Sequence, residues 1–196
     1  MKRCFLVVID SLGVGEAPDA KQYGDEGVNT LGNVSKHVNG VDLPTFDKLG
    51  FGKITSVLGL GTEHNATVGR LSEVSVGNDS TTGHWEIAGL VTTKEFQTFP
   101  DGFPNELIRR IEDEIDYKFI GNVHASGTEI IKDLGEQHIQ TKELILYTSG
   151  DSVFQIAAHN DVCSLEELYR ICEISRNHCN EFNIGLVIAR PFKGPI

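Results

Sequence analysis

The hydrophobic and polar positions fall into two successive patterns. Residues 3–9 form a short apolar run, partly β-branched, that ends at Asp10. Such a run predicts a central strand. Residues 11–30 lose the pattern and are broken by Gly13, Gly15, Pro18, Gly24 and Gly27, which predicts a loop. Thr30 can supply the side-chain oxygen that a first helical turn lacks, predicting a helix to about residue 38. A second short helix is predicted over 43–49. Residues 67–76 alternate weakly, as an edge or surface strand does, and 84–90 read as a helix.

The character changes near 91–100, where Thr92, Thr93, Gln97, Thr98 and Pro100 make a connecting segment. The remainder reads as a compact succession of strands and helices. Residues 105–115 place Leu107, Ile108, Ile111 and Ile115 on one helical face. A strand is predicted over 117–120. Ser126-Gly127-Thr128-Glu129 has the pattern of a capping box, in which Ser and Glu reciprocally satisfy free amides, opening a helix to about 134. A buried strand follows at 144–147. Ser164-Leu165-Glu166-Glu167 repeats the capping pattern and opens a helix to about 179. Residues 184–189 read as the last strand. The fold class predicted is α/β, in two parts, 1–92 and 93–196.

Composition narrows the function classes. The chain has 196 residues, 39% hydrophobic and 23% charged, with a net charge of −11. That charge argues against a nucleic-acid partner, because phosphate backbones are bound by basic patches. No apolar run reaches the roughly 20 residues of a membrane span. The start of the chain lacks the apolar core of a signal peptide, so a cytoplasmic protein is expected. Cys4, Cys163, Cys172 and Cys179 are expected to be reduced thiols. A zinc site from Cys163, Cys172, His178 and Cys179 fits no standard spacing. Cys172 and Cys179 share a helical stripe with Leu168 and Ile171, as small buried hydrophobes would.

The densest chemistry lies in Gly77-Asn78-Asp79-Ser80-Thr81-Thr82-Gly83-His84-Trp85-Glu86. Three hydroxyls stand together beside a carboxylate and an imidazole, with a helix starting behind them. A hydroxyl nucleophile needs such a setting, although the same residues also favour plain helix caps. Asp10, at the end of its apolar run and before a Gly-rich turn, stands where open α/β sheets place ligands. Its carboxylate is a hard ligand suited to Mn²⁺ or Mg²⁺; the alternative is an ordinary turn Asp. Asp151 follows a predicted strand in Thr148-Ser149-Gly150-Asp151-Ser152, which is also common turn chemistry. Arg190, before Pro191, could offer a planar fork to phosphate or serve as a surface arginine. His84 and His159 are acid–base candidates or packed histidines.

These segments resemble the phosphopentomutase family of the alkaline phosphatase superfamily. The resemblance rests on the Asp10 and Ser80 segments, on Gly121 with 125–130, on 147–153, on 155–159 and on 187–192, in family order. It implies part of an alkaline-phosphatase-like core over 1–92 and most of a small α/β cap over 93–196. It implies interconversion of (deoxy)ribose 1-phosphate and 5-phosphate through a phosphoenzyme. Ser80 is then the phosphorylated hydroxyl, a position usually Thr in the family, with Thr81 the alternative if the register differs by one. Asn78 stands where the family commonly has Lys, which removes a positive charge beside the nucleophile. Asp10 and Ser80 are implied as metal ligands, and Ser149, Asp151 and Arg190 as substrate contacts.

The resemblance also implies two divalent cations, Mn²⁺ or Mg²⁺, held by several Asp and His residues. No Asp-His dipeptide occurs in the chain, so the implied ligand set is incomplete. The expectation is an N-terminal portion that is inactive alone and that a second chain could complete. Two other readings stay open. One is a cofactor-independent phosphoglycerate mutase, whose first motif usually reads Asp-Gly where this chain has Asp10-Ser11. The other is a non-catalytic remnant that binds a sugar phosphate or a partner.

Overall fold

The computed structural model describes residues 2–194. The chain forms two compact units, 1–73 and 74–196. The compact units part between Glu73 and Val74.

The first unit is built on short helices and side-chain hydrogen bonds. They are α1 (Ala20–Tyr23), α2 (Thr30–His37), α3 (Pro44–Leu49) and α4 (Phe51–Ile54). Asn29, not Thr30, caps α2: its side chain accepts from the Gly32 amide at 3.0 Å. The Asn29 Nδ2 also donates to the Thr55 hydroxyl at 2.7 Å, tying the start of α2 to the end of α4. Ser35 is fully buried; its hydroxyl donates to the Gly32 carbonyl and accepts from the Leu58 amide. The apolar core is small, with Ala20, Leu31 and Val57 buried.

Two predicted strands are absent here. Among the described residues of this unit none lies in a strand, and the run 3–9 carries no regular secondary structure. Phe5, Leu6 and Val7 are 81%, 75% and 77% exposed. The physical reason is that a strand exists only through its ladder partners, and among the described residues no strand pairs with this run. Residues 67–76, predicted as an edge strand, also carry no strand.

The second unit is a mixed sheet between helices. Its elements are α5 (Ser80–Ile87), α6 (Asn105–Glu112), β1 (Phe119–His124), α7 (Gly127–Thr141), β2 (Leu144–Thr148), β3 (Val153–His159), α8 (Leu165–Cys179) and β4 (Leu186–Phe192). The sheet order is β1-β2-β3-β4. The β1–β2 and β3–β4 pairs are parallel, and β2–β3 is antiparallel. Two βαβ crossovers, through α7 and α8, are thus joined by a β2–β3 hairpin. The α/β class read from the pattern holds.

Alternation along the strands assigns the faces. Leu144 and Leu146 of β2 and Phe154, Ile156 and Ala158 of β3 pack against Leu107, Ile111, Leu168 and Ile171 of α6 and α8. Ile145, Tyr147 and Ala157 turn to the other face and meet Ile130 of α7. Phe154 lies at the centre of the larger cluster, with ring centroids 4.6 Å from Phe103 and 6.1 Å from Phe119. Cys163 and Cys179 are buried within it. Burial pushes the Cys172 thiol up to about 11 and the Cys179 thiol up to about 12.

Helix ends depart from the pattern in instructive ways. Ser164 caps α8 as predicted, accepting from the Glu167 amide at 3.1 Å, but Glu167 turns outward to Arg170 instead of closing the box. Ser126 makes no cap bond; its hydroxyl pairs with Thr128 at 3.1 Å. Helix α7 runs past 134 to Thr141 because Gly135 and His138 continue the buried stripe that Ile130 begins. It ends at Lys142, whose φ of 67° closes the last turn. Strand β3 carries no alternating pattern in the sequence, because both of its faces are buried and its apolar residues do not alternate with exposed ones. Among the described residues no helix is long and apolar enough to cross a membrane.

A histidine pair ties the end of α7 to the sheet. His138 is fully buried; its Nδ1 pairs with the Glu143 carbonyl and its Nε2 accepts from the His159 amide at 2.9 Å. A carbonyl only accepts, so Nδ1 carries the proton and the ring is neutral. His159 Nδ1 likewise accepts from the Asp161 amide at 3.1 Å, leaving Nε2–H for the Gly194 carbonyl. The 3.7 Å approach of Asp161 to that Nδ1 is therefore no charged pair in this tautomer. Burial, the largest cause, holds the His138 pKa below its ordinary value; the Glu143 carbonyl pulls the other way, while the electrostatic influence of the neighbouring His159 and Lys142 adds to the lowering.

A group with a lowered pKa in the folded state takes up its proton more readily when unfolded. Its contribution is therefore complete above the unfolded value of about 6.5 and is lost as pH falls below it. Urea unfolding measured from pH 8 to pH 5 should show stability falling by up to about 1.4 kcal/mol per pH unit from this ring. His138→Gln, which keeps a donor and an acceptor but does not titrate, should flatten that part of the slope.

Candidate functional site

The segment 74–92 folds back on itself and presents the hydroxyl motif. The Val76 amide donates to the Thr92 carbonyl at 2.8 Å, and the Thr92 amide to the Ser75 hydroxyl at 2.9 Å. Glu86 of α5 accepts the Val74 and Ser75 amides at 2.9 and 2.6 Å. The Ser75 hydroxyl, ahead of these two amides, holds the Glu86 carboxyl below its usual range. Helix α5 is thereby fixed to the chain that precedes it.

Asp79 caps α5. One oxygen accepts the Thr82 amide at 3.0 Å and the other the Thr82 hydroxyl at 2.7 Å. Thr81 and Thr82 are buried, whereas Ser80, the first helical residue, is exposed. Of the three hydroxyls, Ser80 alone is open to an incoming group. The free amides of a helix's first turn and its dipole favour negative charge at this position. The helix begins at Ser80 rather than at 84, because Asp79 supplies the cap that the hydroxyl run only hinted at.

Gly77 makes the turn into this cap. Its φ is +118°, and a Cβ there would come within 3.2 Å of Asp79 Oδ2 and 3.3 Å of Thr82 Oγ1. Gly77→Ala is expected to cost about 1–3 kcal/mol through the strained backbone. The shift should appear as a lower midpoint in urea unfolding followed by the fluorescence of Trp85, the single tryptophan.

A cavity of about 290 Å³ opens beside Ser80. It is lined by Ser80, His84, Ser149, Asp151, Gln155 and Arg190, with Trp85 in the wall. Trp85 stands edge-on to Phe96, centroids 5.3 Å apart. Asp151, in the β2–β3 hairpin, receives the Ser80 amide at a long 3.4 Å. The hairpin is held by the buried Ser152, whose hydroxyl donates to the Gln97 carbonyl at 2.5 Å and whose carbonyl accepts the Gly185 and Leu186 amides. His84 Nδ1 donates to the Ser80 carbonyl at 2.6 Å, which leaves Nε2 as the acceptor of the neutral ring. Arg190 projects from β4 and donates from Nε to Gln155 Oε1 at 3.0 Å.

Four of the five expected site residues, Ser80, Ser149, Asp151 and Arg190, thus meet in one cavity although up to 110 positions separate them in sequence. Asp10 does not join this description. It lies in the first unit, exposed, in a turn where Ser11 has φ 59° and the Leu12 amide reaches the Ile9 carbonyl at 3.4 Å. Gln155 and Trp85 were not singled out as site residues. Gln155 could have been noticed as the polar residue in the middle of an apolar strand.

The donor set bears on metals. Among the described residues no group of three or more His, Cys, Asp or Glu side chains could hold a metal ion. What the cavity does offer is an exposed hydroxyl at a helix start, a hairpin carboxylate, an imidazole and a guanidinium. That set suits a phosphorylated, hydroxyl-bearing ligand.

Comparison with known proteins points the same way. No protein-family profile matches the chain. Curated relatives named phosphopentomutase do. Those of Carboxydothermus hydrogenoformans, Acetivibrio thermocellus and Clostridium novyi are 54%, 52% and 50% identical over 99%, 99% and 100% of the chain. In each case the match spans 51% of the relative. The chain therefore spans about half the length of the curated relatives it matches, consistent with their N-terminal portion. Over its whole length, with half of its residues or more identical, the chain belongs by sequence to the phosphopentomutase family.

Proposed function

We propose that these residues supply the nucleophile and sugar-phosphate contacts of a phosphopentomutase, which interconverts (deoxy)ribose 1-phosphate and (deoxy)ribose 5-phosphate. Ser80 takes up a phosphoryl group and passes it to the substrate, by way of a pentose bisphosphate. Asp151 accepts hydrogen bonds from pentose hydroxyls. Arg190 faces a phosphate with its planar fork, and Ser149 lines the same cavity. The observation that carries this reading is the meeting of the exposed Ser80 at the start of α5 with Asp151, Ser149 and Arg190 in one cavity. The family membership supports it.

Two further parts of the proposal rest on the resemblance. Asp10 would serve as an oxygen ligand to one of two divalent cations, Mn²⁺ or Mg²⁺, a use that suits its exposed carboxylate. The segment 1–92 would belong to a metal-binding core, and 93–196 to a cap.

Peptide mapping after acid quench tests the central claim. Incubated with ribose 1,5-bisphosphate and Mn²⁺, a full-length family protein bearing these residues should carry phosphate on Ser80. Phosphate on Thr81 or Thr82 would move the nucleophile along the helix. A second reading is favoured by the want of a metal-holding cluster among the described residues: the 196-residue chain binds a sugar phosphate and does not turn it over. Calorimetry with ribose 5-phosphate beside a mutase assay separates the two.

A further inference from the structure

Arg190 stands between two cavities. The one beside α5 is described above; the other, of about 600 Å³, lies at the start of α7 and is lined by Ser126, Gly127, Thr128 and Tyr147. Ser149, Gln155 and Arg190 line both. A guanidinium in such an open place would ordinarily sweep through many rotamers, and ordering it on binding would cost entropy.

Two buried side chains prevent that. Tyr147 of β2 and Gln155 of β3 are direct cross-strand partners. Arg190 of β4 pairs with Ala157, two residues beyond Gln155, so all three side chains share one face of the sheet. Tyr147 is 2% exposed and Gln155 5%. Gln155 Oε1 accepts the Arg190 Nε–H at 3.0 Å. The Tyr147 phenol lies against the same guanidinium: burial, the larger influence, pushes its pKa up, while the Arg190 charge and hydrogen bond pull it down. A buried amide costs free energy unless its polar atoms are used. The neighbours of Gln155 on the same face of β3, Val153 and Ala157, are apolar and buried, so packing alone does not call for glutamine here.

We propose that Gln155 is a positioning residue: by holding the Nε of Arg190 it fixes the plane of the guanidinium and leaves the two Nη groups to address the phosphate of a sugar phosphate. The proposal rests on the reading of Arg190 as a phosphate contact. A planar fork has five donors in fixed geometry, so fixing one fixes the direction of the rest. Tyr147 supports the same group from the neighbouring strand.

The experiment follows the Arg190 Nε–H by ¹⁵N NMR in the 196-residue chain and titrates ribose 5-phosphate into the same samples. In the unaltered chain this proton should exchange slowly with water. Gln155→Leu should speed its exchange about tenfold and weaken ribose 5-phosphate binding by a similar factor. Gln155→Glu, which keeps an acceptor at the same reach, should restore slow exchange and shows that the strand tolerates substitution. In an Arg190→Ala background, Gln155→Leu should weaken binding no further. Unchanged Nε–H exchange in Gln155→Leu would overturn the proposal, as would an equal loss of affinity with and without Arg190. Unaltered binding by Arg190→Ala, with the Nε–H behaviour as expected, would place the failure in the phosphate role of Arg190 instead, and the positioning role would fall with it.

Discussion

Ser80→Ala is expected to lower pentose phosphate mutase turnover by about 10⁴-fold or more in a full-length family protein bearing these residues, the scale on which removing a nucleophile acts. Ser80 is the exposed hydroxyl of the three that open α5, and its neighbours Thr81 and Thr82 are buried. Asp79 already engages the Thr82 hydroxyl and amide, so Thr82 is committed to the cap. Alanine at position 80 leaves that cap untouched, and ribose 5-phosphate should bind Ser80→Ala nearly as before. Ser80→Thr keeps a hydroxyl at the first helical position and should retain turnover to within about tenfold. Thr81→Ala should likewise act. Turnover surviving in Ser80→Ala but lost in Thr81→Ala would shift the nucleophile by one residue and undo the assignment.

The largest expected effect on stability lies away from the site. Phe154→Ala should destabilise the second unit by about 3–5 kcal/mol, the cost of a large cavity in a close-packed core. Phe154 is fully buried and meets the rings of Phe103 and Phe119, so it joins β3 both to the segment before α6 and to β1. Tyr169→Ala, at an exposed position of α8, should change stability by no more than about 0.5 kcal/mol. Urea unfolding followed through Trp85 checks both. A loss below about 1 kcal/mol in Phe154→Ala would show that the cluster does not close around this ring. Because Gln155 is the next residue in β3 and faces the opposite side, Phe154→Ala should also disturb the cavity beside Ser80.

Local sequence determined a good part of this protein. The apolar stripes of α6 and α8 and the serine that caps α8 act within a turn or two of helix. Their physics is set by near neighbours, and they are found about where the pattern placed them. The run 144–147 is continuous, apolar and bounded, and forms all but the last residue of β2. The motif residues Ser80, Ser149, Asp151 and Arg190 were legible as types of chemistry. Sequence alone could say that a hydroxyl, a carboxylate and a guanidinium were present in suggestive surroundings.

What brings them together is the hairpin and the register of the sheet. Antiparallel pairing of β2 with β3 puts Tyr147 opposite Gln155, and parallel pairing of β3 with β4 carries Arg190 onto the same face. A shift of one residue in either ladder would send Gln155 or Arg190 to the side of Phe154 and α8. Strand β3 itself could not be read from alternation, since both faces are buried. The opposite failure occurs at 3–9. There the composition of a central strand is present, yet Phe5, Leu6 and Val7 stand exposed without a ladder. A helix satisfies its own backbone, so its sequence nearly suffices to define it. A strand borrows its hydrogen bonds from a neighbour, and which neighbour is present is decided only by the tertiary structure.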